Sequence, residues 1–252
     1  MTSPATRLAE LLVQAQQEQT LLHEIPHDLT PQDRDAAYCV QDETLKLRGV
    51  EAGGWKVGSK SDTDPIRGSV LPRDCLFPTG HAFEHARYRP AGLELEIAFR
   101  FKHAFDARDE PYSNEEVMDA IGEMAAAIEL VSSRFSTYPQ VEPLIQLADL
   151  LNHGALVVGK FVPYRKDFDF IAPAVELTFA EENIVPAETG NPAGDPRRLL
   201  PWLVNHYTQH GQTLPKDFVV TTGSYTGMHF AKTPGELHGQ IVGLPDVSLR
   251  LV

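Results

Sequence analysis

Two acids, Glu94 and Glu96, stand two residues apart in LELEIAFRF (93–101), a run that alternates for most of its length. Side chains at i and i+2 of a strand share one face, roughly 7 Å apart, so the two carboxylates point together while Leu93, Leu95 and Ile97 point the other way. Taken alone, such a pair reads more readily as a solvated strand face. A third acid, Glu129, lies in AAAIELV between Ile128 and Leu130. A single acid in an apolar strand is costly to bury unless it is paired or bound to a metal. A strand, a helix and a neighbouring strand would bring Glu129 beside the first pair. Three carboxylates with open positions suit a hard cation, Mg²⁺ or Mn²⁺, whereas zinc would want His or Cys. Spacing alone leaves metal ligation and a structural role both open.

Several elements must position these acids. Residues 3–21 predict a helix with Leu8, Leu11, Leu12 and Ala15 at helical spacing. Thr30-Pro31 predicts the cap and first residue of a second helix ending near Gly49. From Gly53 the texture becomes short apolar pieces punctuated by Gly and Pro, as in strands and tight turns. SNEEVMDAIGEMAA opens with Ser113 and Glu116, a capping box before a helical run, and AIELVSS and GALVVGKFV follow as strands. VELTFAEENIVPAETG predicts a hairpin turning near Glu182-Asn183. RRLLPWLVNHYTQHG predicts a helix stopped by Gly211, and DFVVTTGSYTGM and VSLRLV predict closing strands. Helices cluster early and strands dominate later, which predicts an α+β protein with a mixed or antiparallel sheet system. No linker stands out. The expectation is one catalytic domain over residues 1–252, with a helical N-terminal part at 1–50 and a β-rich metal-binding core at 51–252.

The 252 residues are 42% hydrophobic, 23% charged and 8% aromatic, enough to bury a sizeable core. A formal net charge of -13 repels polyanions, so nucleic acid and anionic membranes are poor partners. An anionic substrate would need a local positive centre, from a metal or a placed lysine. Neither a signal-peptide core nor a membrane-length apolar run is present, and the default is a soluble cytoplasmic protein. Cys39 and Cys75 form no thiolate-zinc motif. His206 and His210 have i, i+4 spacing without HExxH or a third ligand, and read as a solvated helix face. The glycines form no GxGxxG or P-loop.

The chain resembles the 2-keto-4-pentenoate hydratase and 4-oxalocrotonate decarboxylase family of the fumarylacetoacetate hydrolase superfamily. GWKVGSKS (54–61), GLELEIAFRF, AAIELVSSRF, LADLLNHGALVVG (147–159), NPAGDP with the LLPWLVN helix, and VVTTGSYTGM carry the resemblance. They stand in the family's order from about residue 30 onward. The resemblance implies a rolled, largely β core with flanking helices, usually in homo-oligomers. It implies Glu94, Glu96 and Glu129 as metal ligands, Lys56 and Asp74 as catalytic residues, and Asn152, Thr222 and Ser224 as approaching the substrate. Three features depart from the pattern. Ser59-Lys60 stand where relatives often have Leu-Thr, Ser132 stands where an acid is common, and the segment between Lys56 and Asp74 is short.

The activity so implied is addition of water to a 2-hydroxy-2,4-dienoate, giving a 4-hydroxy-2-oxo acid in aromatic catabolism. Lys56 would donate a proton or hold the C2 oxygen, and Asp74 would orient or activate water. Alternatives are a 4-oxalocrotonate-type decarboxylase using the same enolate, an acylpyruvate hydrolase with His23-Glu24 as its water-activating pair, and a non-catalytic assembly partner of a related decarboxylase or hydratase. A second carboxylate-binding cation in the pocket would separate diacid from monoacid substrates.

Overall fold

Ser3 caps the first helix, α1 (Pro4–Glu18): its hydroxyl accepts from the Thr6 N–H at 3.1 Å, and Pro4 occupies the first turn, where no N–H is needed. The computed structural model describes residues 2–252. The second helix, α2 (Arg34–Arg48), starts later than Thr30-Pro31 predicted. Asp33 is its cap and accepts from the Ala36 N–H at 2.8 Å, while the Thr30 carbonyl is held in the preceding turn by the Gln32 amide. Gly49, at φ 64°, ends α2 as expected.

Strands β1 (Ala52–Gly58), β2 (Arg67–Pro72), β3 (Leu76–Pro78), β4 (His81–Phe83) and β5 (Ala91–Phe101) follow. The expected capping box opens α3 (Asn114–Ala120), with both Ser113–Glu116 hydrogen bonds formed. The helix is only seven residues long, because the chain from Ile121 joins the ladder of β5 as β6 (Ile121–Val131), with Phe101 opposite Ile121 and Phe99 opposite Met124. Gly122 weakens any helical continuation, and pairing decides the outcome.

Next come α4 (Pro143–Ala148), β7 (His153–Val158), β8 (Val162–Pro163), β9 (Val175–Phe179) and β10 (Glu182–Asn183). The hairpin turn lies at Ala180-Glu181, both left-handed, two residues before the predicted position; Glu182 and Asn183 already pair back onto Phe179 and Thr178. Helix α5 (Leu199–Gln209) is followed by Gly211 at φ 80°. Its His206 does not face open solvent: it is half-buried and stacked on Trp202, ring centroids 4.8 Å apart at 6°. The chain closes with β11 (Val219–Ser224), β12 (His229–Ala231), β13 (Gly235–Ile241) and β14 (Val247–Leu251).

These strands make two mixed sheets, in agreement with the expected α+β class. The larger runs β2-β1-β11-β5-β6-β7-β3, with β12 on β5 and β8 on β6; the smaller runs β10-β9-β13-β14-β4. The smaller sheet covers the apolar face of β5. Gly239 of β13 lies so close to Leu95 that an added Cβ would fall 2.8 Å from its Cδ1, and Leu93, Leu95 and Ile97 are completely buried. Each such side chain stabilises the fold by roughly 1.5–3 kcal/mol, and a one-residue slip would exchange them for the acids. Helices α1, α2 and α4 share a separate cluster of Leu8, Leu12, Val40 and Leu147 with Phe135. Among the described residues no helix is long and apolar enough to cross a membrane.

Candidate metal centre and its cavity

Glu94 of β5 lies directly opposite Glu129 of β6 in the antiparallel register, and Glu96 lies opposite Ala127. Directly opposed residues share a sheet face, so the three acids meet on the side away from the small sheet. Their carboxylate oxygens converge within 4.8 Å of one another, the one such group of three or more His, Cys, Asp or Glu among the described residues.

Lys56 stands on β1, three strands from β6 in the larger sheet. A flat sheet would separate those strands by about 14 Å. The Lys56 ammonium nevertheless donates to Glu129 Oε1 at 2.5 Å and to the Leu151 carbonyl at 3.1 Å, so the sheet must curl around the site. Close approach of β1 to β11 supports this geometry: a Cβ on Gly54 would lie 2.2 Å from the Val219 carbonyl oxygen.

Each acid is held differently. The Thr221 hydroxyl and the Gly223 N–H (3.0 Å) both donate to Glu96 Oε2. Gly223 has φ 92°, in a break of the β11–β5 register, and the Asn191 amide fixes that turn by donating to the carbonyls of Thr222 and Gly223. Glu129 Oε1 also meets His153 Nδ1 at 2.9 Å. Glu94 has no hydrogen-bond partner among the described residues. Burial, then the charges of Glu96 and Glu129, push Glu94 up to about 8. Burial and the Glu129 charge push Glu96 up to about 7. Burial acts the same way on Glu129, but Lys56 and His153 outweigh it and hold that carboxyl below its ordinary value. Burial lowers the His153 pKa, so the ring is neutral and donates from Nδ1; its Nε2 is buried without a partner. Ionised together, the three carboxylates would carry a negative surplus over Lys56, and burial and mutual repulsion oppose that state by raising Glu94 and Glu96. Three converging carboxylates with that surplus fit a hard divalent cation.

A cavity of about 260 Å³ opens over the acids, below the roughly 300–1,000 Å³ typical of drug-sized sites. Lys56 and Ser224 line it, as do Lys60, Arg67 and Leu151. Leu150, Leu151 and Asn152 are three consecutive non-glycine residues at φ 51°, 52° and 60°. Such conformations cost on the order of 1–3 kcal/mol each and gather at functional sites. Here they aim the Leu151 carbonyl at Lys56.

The structure does not bring Asp74 to this cavity. Asp74 follows β2 in a short turn, is half exposed, and pairs with Arg48 at 2.8 Å beside a separate cavity of about 230 Å³. The turn after Pro72 carries it past the strand end, off the face that holds Lys56. Asn152 is buried with its amide on Gln146 and its Oδ1 unpartnered, and does not line the cavity. Thr222 points to the opposite face, where its hydroxyl donates to the Ile97 carbonyl; its neighbour Thr221 is the one that reaches the acid cluster, through Glu96, without lining the cavity. His23, offered as half of a hydrolytic pair, bonds Ser136 away from the cavity. The residues that the sequence did not disclose are Thr221, His153, Asn191 and the Leu151 carbonyl. Strand alternation separates Thr221 from Thr222 once the register with β5 is known, whereas nothing local marks a backbone carbonyl.

No family model matches the chain. The 2-oxo-hept-4-ene-1,7-dioate hydratase of Escherichia coli is 24% identical over 268 residues, covering 98% of this chain and 97% of the hydratase. The 4-oxalocrotonate decarboxylase from Pseudomonas putida G7, solved with magnesium and adipate, superposes with a TM-score of 0.85 at 20% identity, covering 100% of this chain and 99% of that one. The fumarylpyruvate hydrolase from Pseudomonas aeruginosa, solved with Mn²⁺ and pyruvate, gives 0.57 at 15% identity, covering 81% of this chain and 90% of that one. The resemblance read from the sequence is borne out, and the fold is shared with the 4-oxalocrotonate decarboxylase and the fumarylpyruvate hydrolase.

Proposed function

We propose that this chain is a divalent-metal-dependent hydratase that adds water to a 2-hydroxy-2,4-dienoate and releases a 4-hydroxy-2-oxo acid. The observation that carries the reading is the convergence of Glu94, Glu96 and Glu129 beside Lys56 in one small cavity. Held by the three glutamates, Mg²⁺ or Mn²⁺ would supply Lewis-acid stabilisation of the substrate's enolate form. The relatives' names, a hydratase and metal-complexed 2-oxo-acid enzymes of one fold, support the same class.

The chain's own residues have separable tasks. A lysine ammonium has three N–H donors, and Glu129 and the Leu151 carbonyl take two of those on Lys56. The third is free for the substrate. In this reading Lys56 Nζ gives a proton to C5, water adds through oxygen at C4 and returns its other proton to Nζ, and the C2 hydroxyl gives up its proton as C3 takes one, which turns the enol into the 2-oxo acid. The sum is one H₂O added. His153 and Thr221 keep Glu129 and Glu96 aimed, and Ser224 lines the cavity wall with its hydroxyl donating to the Gly227 carbonyl. Asp74, paired with Arg48 elsewhere, has no part in this scheme.

Purified protein with added Mg²⁺ or Mn²⁺ should consume 2-hydroxypenta-2,4-dienoate, or its longer 1,n-dioate forms, with water incorporated and no CO₂ released. CO₂ release from 4-oxalocrotonate without hydration would replace this reading with the decarboxylase. Failure of both reactions would sink both, leaving the assembly-partner role, against which the three acids and Lys56 speak. We also propose a homo-oligomer, checked by sedimentation velocity.

A further inference from the structure

We propose that the second cavity, the one beside Asp74, is a binding site for a small oxyanion, a phosphate or carboxylate group held by Arg89 and Arg48. This cavity has no lining residue in common with the one over the three glutamates. Its volume is about 230 Å³. It sits where the end of α1 and the last turn of α2 meet the segments that follow β2 and β6 and the turn before β5. Arg48, Arg87, Arg89 and Arg134 line it against a single acid, Asp74. Such a gathering of guanidinium groups stands out in a chain with 22 basic and 35 acidic residues.

Two of the four arginines build the wall. Arg134 is buried, and each of its side-chain nitrogens is engaged: Nε donates to the Asp149 carboxylate, Nη2 to the Asp149 carbonyl at 2.6 Å and Nη1 to the His153 carbonyl at 2.8 Å. Arg87 pairs with Glu84 at 2.6 Å. The other two have donors to offer. Every side-chain hydrogen bond of Arg48 leaves from Nη2, to both Asp74 oxygens (2.8 and 2.9 Å) and to Cys75 Sγ (3.5 Å). Its Nε and Nη1 donate to nothing among the described residues, on a side chain only 12% exposed. Arg89 has no carboxylate partner among the described residues. Its Nε donates to the Ala86 carbonyl at 3.0 Å, which leaves Nη1 and Nη2 free. Those two nitrogens are the forked end of the guanidinium, the geometry that matches two oxygens of a carboxylate or phosphate.

The charge balance points the same way. Asp74, Glu84 and Asp149 answer Arg48, Arg87 and Arg134 one for one, and Arg89 is left over. Ser132, on the same wall, stands where an acid is common in relatives, and its hydroxyl accepts from the Arg89 N–H at 3.0 Å. An acid at that position would supply the missing countercharge, whereas serine leaves the charge to be met by a ligand. The backbone that carries Arg89 is fixed as well. The Ser133 N–H donates to the Arg89 carbonyl at 3.0 Å, so both polar groups of that residue's main chain are tied to the end of β6. A wall held in this way needs little rearrangement to receive an anion.

The test is calorimetric titration of the full chain with inorganic phosphate and, separately, with acetate, each in the presence and absence of Mg²⁺. At least one of the two should bind at a single saturable site, equally well with and without Mg²⁺, and the tighter of them identifies the group the site takes. Arg89→Ala should weaken that binding by about 10-fold or more, the scale of a charge-assisted hydrogen bond, and Arg89→Lys should recover part of the loss. Asp74→Asn removes the one acid of the lining and should tighten binding by about threefold or more, a gain that a damaged fold would not produce. The proposal is overturned if wild type shows no saturable binding of either anion, or if binding requires Mg²⁺, which would place the anion on the metal centre. It is equally overturned by an affinity that Arg89→Ala leaves unchanged or that Asp74→Asn fails to raise.

Discussion

Replacing Lys56 by Met removes the one cation in contact with the glutamate cluster while keeping an unbranched stem in place. The Lys56 and Glu129 side chains are 14% and 2% exposed. Removing one partner of such a buried pair typically costs about 3–5 kcal/mol, because the remaining charge is stranded. Here Glu129 would face Glu94 and Glu96 with only the neutral His153 as donor, so the upper half of that range applies to the metal-free protein. For a chain of this size each kcal/mol moves Tm by about 2–4 °C, which places metal-free Lys56→Met roughly 8–20 °C below wild type. Added Mg²⁺ should recover much of the loss, since a ligand at 100 times its Kd contributes about 2.7 kcal/mol. The metal-induced rise in Tm should also exceed that of wild type, because Lys56 no longer competes for Glu129. Turnover should fall by about 10²–10⁴-fold, the range for a lost general acid. Differential scanning fluorimetry with EDTA and with Mg²⁺, beside a turnover assay, reads all three quantities. A metal-free Tm unchanged from wild type, or a metal response no larger than wild type, would refute the reasoning.

Further outcomes follow from the same geometry. Glu96→Gln should weaken Mn²⁺ binding by more than about 10-fold, since even altered partners of ligands cost about 10–100-fold; an unchanged affinity in a titration followed by electron paramagnetic resonance would remove Glu96 from the ligand set. Asp74→Asn should leave turnover within about twofold and cost about 1 kcal/mol, since the carboxylate is half exposed and the amide still offers Arg48 an oxygen; a collapse of kcat would return Asp74 to the chemistry. Burial and the nearby His210 depress His206 to about 4, below its ordinary 6.5. A depressed histidine means that the unfolded chain takes up the proton first. Its stabilising contribution is therefore complete above about 6.5 and is lost as pH falls from there towards 4. His206→Phe, which keeps the stack on Trp202, should narrow the difference in urea midpoint between pH 7 and pH 5; an undiminished difference in the variant would count against the assignment.

Local rules carried the sequence reading as far as local rules extend. Glu94 and Glu96 could be placed on one face because alternation in β5 is a property of adjacent residues, and Ser3, Ser113, Gly49 and Gly211 act within one turn of themselves. Glu129 became legible through the energetic oddity of an acid among aliphatics, and the register with β5 sets it opposite Glu94. Asp74 misled for the opposite reason. Its place depends on how far β2 runs before the chain turns, and an Asp after a proline is ordinary turn chemistry wherever it falls. Thr222 against Thr221 is a choice of register by one residue, fixed only by β5. The left-handed turn at Leu150–Asn152 has no glycine to announce it, and the Leu151 carbonyl it presents has no side-chain signature.

Several features of the site act against stability. Three left-handed residues, two carboxyls raised well above their ordinary range and a buried imidazole nitrogen without a partner all lie within one site. A sequence under selection for stability alone would relax each of them. They persist because the opposite face of β5 leaves no alternative. Leu93, Leu95 and Ile97 are sealed beneath the small sheet, so any shift that relieved the acids would expose those three side chains. The apolar face fixes the register, the register fixes the convergence of Glu94, Glu96 and Glu129, and in the proposed reading that convergence is what holds the cation. Changes at Leu95 should therefore reach the metal affinity as well as the melting temperature, although Leu95 points away from the cavity.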